Sequence, residues 1–270
     1  MSSVLPSRFT TVARRLAPGS GLSLPAAFAE QLSSLYGLVQ RSSHVFGSPL
    51  DSVRHENRVH PLPRFVYFGP HASEASVRLA FLAGFDHRDL RGTLALLHFI
   101  EALALEPEIG HGLHFSLFPL VDVLGFARAQ EGRVLDRENW TRTTAPELVL
   151  LEQDARLRNY HGFVKLEMTG DDAVTVRLRT APSVEHPTPA VEFITSDEIA
   201  PFPVRWETSS TAPVTDGPLT VADDVPFQPF ELTLRLPAAW SPELTREAAA
   251  SILKRFVLRY RGFMAYGQHL

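Results

Sequence analysis

No cysteine occurs among the 270 residues. Disulfides, thiolate metal sites and catalysis through sulfur are thereby excluded, and a reducing compartment suits such a chain. Long apolar runs are missing too: the segment 94–100, LALLHFI, is far short of the roughly 20 residues a membrane helix needs. The N-terminal MSSVLPSRFTTVARRL holds no apolar stretch of signal-peptide length, so a cytoplasmic, soluble protein with no membrane partner is the expectation. Basic charge is scarce. Lys and Arg total 26 against 30 Asp and Glu, a net charge of −4, and no basic run gathers, so nothing invites nucleic acid. What is present is ordinary: 44% hydrophobic and 21% charged residues supply one sizeable core. This length fits one large α/β domain better than two.

Residues 1–63 read as an N-terminal extension carrying one amphipathic helix at 25–40, followed by a loop rich in Ser, His and Arg. Residues 64–270 read as the α/β domain. Its strands are expected at 65–69, 77–85, 113–121, 164–168, 173–179 and 230–237, being short, apolar and bounded by turn residues. The run 92–105, apolar on nearly every face, predicts a covered helix, and strand–helix–strand makes a βαβ crossover with a parallel pair. Thr144 and Glu147 form a capping box before a helix at 145–160. A closing helix follows Ser241-Pro242, and the proline-rich 181–229 reads as loops and short edge strands. The expected fold is one domain with a mixed, mostly parallel sheet flanked by helices. Ligands in such sheets sit at the carboxyl ends of strands, which directs attention to 86–91, 122–139 and 167–172.

Those loops carry AGFDHRDLRG (83–92), FPLVDVLGF (118–126), VLDRENW (134–140), PELVLLE (146–152), KLEMTGDD (165–172) and LTLRLP (232–237). In order and spacing they resemble the zinc carboxypeptidase superfamily, in particular its succinylglutamate desuccinylase–aspartoacylase-like branch, across roughly residues 64–262. The resemblance implies that family's fold, a zinc held by two His and one Glu, and a Glu as general base.

At each of these positions the chain departs from the pattern. The HxxE pair falls on Asp86 and Asp89, the later His on Glu167, and the general base on Arg235. The Asn-Arg pair that grips a substrate carboxylate falls on Asp136 and Arg137, and the oxyanion Arg on either Arg128 or Arg133. A one-residue slip would bring His87 to the first ligand position but leave Leu90 at the Glu position. His71, His161 and His186 lack ligand spacing and read as surface or capping residues. Zinc hydrolases favour imidazole with one carboxylate, whereas carboxylates alone suit harder ions. A guanidinium stays protonated at any working pH and cannot take a proton from water. No bound zinc or other cofactor is therefore expected, and the three carboxylates are expected to pair with Arg235, Arg88 or Arg137.

The expected function is a catalytically degenerate binding or regulatory protein. Arg137, with Asp136 and Arg128, would hold a small anionic molecule or a peptide C-terminus. An active hydrolase with a carboxylate-rich metal site and a structural protein with a closed pocket are the alternatives.

Overall fold

A computed structural model describes residues 26–55, 58–128, 135, 144–180, 204–209 and 230–267. Its strands are β1 (Val45–Gly47), β2 (Ser52–His55), β3 (Arg58–Pro61), β4 (Phe65–Phe68), β5 (Arg78–Leu82), β6 (His114–Phe118), β7 (Gly162–Thr169), β8 (Val174–Thr180), β9 (Val204–Ser209) and β10 (Phe230–Pro237). Its helices are α1 (Ala26–Val39), α2 (Arg91–Leu105), α3 (Val123–Arg128), α4 (Pro146–Arg158) and α5 (Pro242–Gly267).

Among the described residues the main sheet has the order β1-β4-β6-β5-β7-β10-β8-β9, and β2 and β3 pair separately. The four central strands β6-β5-β7-β10 are parallel. β4 and β8 join this centre antiparallel, so the sheet is mixed and mostly parallel, as the sequence implies. The central strands are buried along nearly their whole length, which is why they read as continuous apolar runs rather than alternating ones. β5, α2 and β6 form the expected crossover between parallel neighbours. α2 packs against α1 and α5, and α5 sets Phe256 and Tyr260 on Phe230 of β10.

Four expectations change. The stretch 41–63 is not a plain loop: β1 pairs with β4 in the main sheet, and β2 and β3 form a hairpin. These strands have three or four residues, too few to show a period. Helix α1, within the same N-terminal extension, buries Phe28, Leu32 and Leu35 in the common core. The strands read at 77–85 and 113–121 end at Leu82 and Phe118. Beyond them the chain still pairs irregularly, with Val121 N–H donating to Ala83 O and Asp122 N–H to Gly84 O. Gly84 holds φ +71° there, and a methyl on it would come within 2.9 Å of Leu120 Cα.

The fourth change is the capping box. Ala145 is the N-cap of α4 and gives no side-chain cap, while Glu147, fully buried, accepts the Leu124 N–H at 3.1 Å. Its carboxylate ties α4 to α3 instead of closing its own helix. Residues 170–173 turn the chain between β7 and β8, which are not partners, because β10 lies between them.

Candidate functional site

The loop DHRDLR at 86–91 contains two Asp-x-Arg units in tandem. In each, the Asp carboxylate accepts the backbone N–H two residues on, at 3.0 Å for Arg88 and 3.1 Å for Arg91. This local turn competes with helix and strand, and it brings each Asp against the guanidinium of its own unit. Asp86 Oδ1 accepts Arg88 Nε at 2.8 Å and Oδ2 accepts Nη2 at 2.7 Å. Asp89 takes Arg91 Nε at 2.9 Å and Nη2 at 2.5 Å. The hydrogen bonds to these carboxylates raise both arginines above the ordinary guanidinium range. Arg91 Nη1 also donates to Ala238 O and, at 3.2 Å, to Trp240 O, fastening the loop to the end of β10.

Glu167 and Arg235 are in-register partners on the parallel strands β7 and β10, so both side chains stand on one face. Arg235 Nε lies 3.5 Å from Glu167 Oε2, and its Nη1 lies 3.9 Å from Glu207 Oε2. Asp86, Asp89 and Glu167 line a single open cleft of about 200 Å³, together with Gly84, Gly92 and Leu166. The cleft sits at the carboxyl ends of β5, β7 and β10, where an open α/β sheet places its ligands.

The three positions singled out in the sequence thus come together. Their charge is shared among three arginines: Arg235 serves Glu167, while Arg88 and Arg91 serve the two aspartates. Asp136, Arg137, Arg133 and His186 lie outside the described residues. Arg128 closes α3, and its backbone alone is described. His161 Nδ1 accepts the Arg78 N–H at 3.2 Å, and His71 lies beside His111 with ring centroids 4.9 Å apart and planes tilted by 35°.

Two features escaped the sequence. One is the pairing of Arg91 with Asp89, for which the i, i+2 spacing was a usable signal; Arg88 was already among the expected partners. The other is a buried pair in which His87 Nδ1 and Asp122 Oδ2 are 2.8 Å apart, with side-chain exposures of 7% and 0%. Asp122 Oδ1 also accepts the Gly125 N–H at 3.0 Å. A methyl on Gly125 would fall 2.1 Å from Asp122 Oδ2 and 2.5 Å from His87 Nδ1, so only glycine fits beside the pair. Nothing in the sequence joins residues 35 apart on different loops.

The donor set decides how zinc fits. No imidazole stands at the three positions, each carboxylate already faces a guanidinium, and His87 turns Nδ1 to Asp122. Among the described residues, no group of three His, Asp or Glu is arranged to hold a metal ion. These residues do not fit the zinc that the resemblance implies.

Comparison with solved structures agrees on the frame. A metallo-carboxypeptidase from Burkholderia cenocepacia superposes with a TM-score of 0.65 at 14% identity, covering 87% of this chain and 69% of that one. The fold is that of the metallo-carboxypeptidases. A Pseudomonas aeruginosa metallo-carboxypeptidase, in complex with (2-guanidinoethylmercapto)succinic acid, gives 0.57 at 14% identity over 85% of this chain and 68% of that one. Carboxypeptidase A from Helicoverpa armigera gives 0.56 at 11% identity over 86% and 72%. No family model matches this chain, and no curated protein matches its sequence. Among the described residues no helix is long and apolar enough to cross a membrane.

Proposed function

We propose that this chain is a non-catalytic binding protein on the metallo-carboxypeptidase frame, degenerate relative to the succinylglutamate desuccinylase–aspartoacylase-like branch its motifs resemble. The observation that carries the reading is the carboxylate–guanidinium pairing throughout the cleft. Where the family would gather ligands around a cation, this chain supplies the positive charge from Arg88, Arg91 and Arg235. Arg235 on the general-base strand cannot accept a proton. The cleft is open rather than filled, which favours a binding role over a purely structural one. Its occupant is a small anionic molecule or a peptide C-terminus. Arg137 stands at the family's carboxylate-gripping position, and the Pseudomonas relative was solved with a succinic acid derivative. A cytoplasmic setting accords with the absence of cysteine.

The test is metal content and turnover measured on one preparation made without chelator. Zinc well below one per chain is expected, with no hydrolysis of N-acyl amino acids or peptide C-termini above background. Loss of a general base alone costs a hydrolase about 10²–10⁴-fold. Near-stoichiometric zinc, with turnover abolished by Glu167→Ala, would overturn the reading and restore an active hydrolase.

A further inference from the structure

At the other end of the parallel strands from the cleft, two imidazoles meet. His71 follows β4 and His111 precedes β6, and Phe68, the last residue of β4, pairs with His114, the first of β6. Both histidines therefore stand at the amino end of β6, whereas the cleft lies at the carboxyl ends of β5 and β7. The backbone fixes their approach. Gly69 N–H donates to Leu113 O at 2.9 Å and Gly112 N–H to Pro70 O at 2.8 Å, so the two turns are laced together on either side of the pair. His71 itself holds φ +59°, a region uncommon for any residue but glycine. Arg261 of α5 donates to Glu108 O and Ile109 O, anchoring the short turn Pro107–Gly110 from which His111 leaves.

Two observations make this pair a set of ligands. The ring centroids lie 4.9 Å apart. A metal bonded to one nitrogen of each ring at about 2.0–2.1 Å, with a bond angle near tetrahedral, sets the ring centres about 5 Å apart. The second observation is a carboxylate: His111 Nδ1 lies 3.0 Å from Glu108 Oε2. An ionised carboxylate only accepts, so the Nδ1 proton goes to it and Nε2 keeps its lone pair. Metal-binding histidines are typically held in this way, through the ring nitrogen that does not touch the metal. No hydrogen bond occupies the His71 ring among the described residues, so its lone pair is available too.

We propose that His71 and His111 form a site for a late divalent transition-metal ion (nickel, copper or zinc), with Glu108 orienting His111. Imidazole suits these ions, whereas magnesium and calcium require oxygen ligands. Among the described residues no third His or carboxylate is placed to complete the set. His71 is exposed and His111 partly so, and water fills the remaining positions. The ion clips the turn after β4 to the turn before β6. This site is independent of the binding role proposed for the cleft.

Calorimetric titration of chelator-stripped, dialysed protein with Cu²⁺, Ni²⁺, Zn²⁺ and Mg²⁺ tests this. One saturable site is expected, tightest for Cu²⁺ and absent for Mg²⁺. Electron paramagnetic resonance of the Cu²⁺ form should show two imidazole nitrogens, falling to one in His71→Asn and in His111→Ala; asparagine tolerates the left-handed backbone at 71. Glu108→Ala should weaken binding about 10–100-fold while both nitrogens remain. His98→Ala, which removes an imidazole from α2, should change neither affinity nor spectrum. Metal should raise the denaturant midpoint of the parent and not that of a His71→Asn/His111→Ala double variant. Binding that survives the double variant, a single nitrogen in the parent spectrum, or no binding at millimolar metal would overturn the proposal and leave the reading of the cleft standing.

Discussion

Arg235 shows how one side chain can replace a cation and what that replacement is worth. Its guanidinium is about a quarter exposed, while Glu167 opposite is nearly buried. Removing Arg235 takes a guanidinium away from a nearly buried carboxylate, but partial solvation of the pair limits the loss. Arg235→Ala should cost about 1–3 kcal/mol, read as a lower denaturant midpoint at unchanged slope. A midpoint equal to the parent's would show that the pair stabilises nothing. Gly125 allows a sharper test of packing beside the cleft. Gly125→Ala drives a methyl into both members of the His87–Asp122 pair, so it should cost about 1–3 kcal/mol and disturb the His87 ring resonances. The sequence brought Asp86, Asp89, Glu167 and Arg235 to attention through motif order. It did not say which arginine meets which carboxylate, since two of the three pairs are local and the third depends on strand register.

Between elements, a buried polar cluster ties α4 to the residues that open β4 and β7. Arg64, just before β4, donates to Asp154 of α4 at 2.8 Å, and Tyr160, just before β7, donates to the same carboxylate at 2.6 Å. Burial, with Asp154 beside it, pushes the Tyr160 phenol well above its usual range, and burial lowers Arg64. Arg64→Met should therefore cost about 3–5 kcal/mol, because Asp154 is left charged and buried with a reduced set of partners. Tyr160→Phe removes one neutral donor and should cost about 1–2 kcal/mol. His114 opens β6 half-buried against Phe68, ring centroids 4.7 Å apart. Partial burial and the nearby Arg78 lower its pKa below the ordinary imidazole value. A depressed pKa contributes stability that is present above the unfolded value, about 6.5, and is lost as pH falls through the folded one. The denaturant midpoint should thus drop between about pH 7.5 and about pH 5, and the drop should shrink in His114→Phe. An equal drop in that variant would assign the pH dependence to other groups.

For the molecule as a whole, the question is how far the core extends toward the N-terminus. α1 buries Phe28, Leu32, Leu35 and Val39, each at most 5% exposed, and packs on α2. At about 1.5–3 kcal/mol per buried side chain, the four together contribute about 6–12 kcal/mol. That matches the whole stability of a typical domain, about 5–15 kcal/mol. Deleting residues 1–40 should therefore leave a chain that binds a hydrophobic dye and lacks a cooperative unfolding transition. A cooperative transition in the truncated chain would show that the remaining residues fold independently.

The amino-acid sequence by itself determined the class of fold and the address of the cleft. Buried parallel strands must be continuously apolar and crossover helices must be covered, so both leave local patterns in the chain. Motif order then put three carboxylates and one arginine at the carboxyl ends of β5, β7 and β10. Tertiary structure alone decided the insertion of β10 between β7 and β8, the placement of β1 beside β4, and the turning of Glu147 to Leu124 rather than to its own helix. It also decided the meeting of His87 with Asp122 and left the Thr93 hydroxyl behind Gly84 without a partner among the described residues. Each of these depends on groups far apart in sequence, or on a partner that is missing. Periodicity and spacing record neither, because they describe which face a residue occupies and not what stands opposite it.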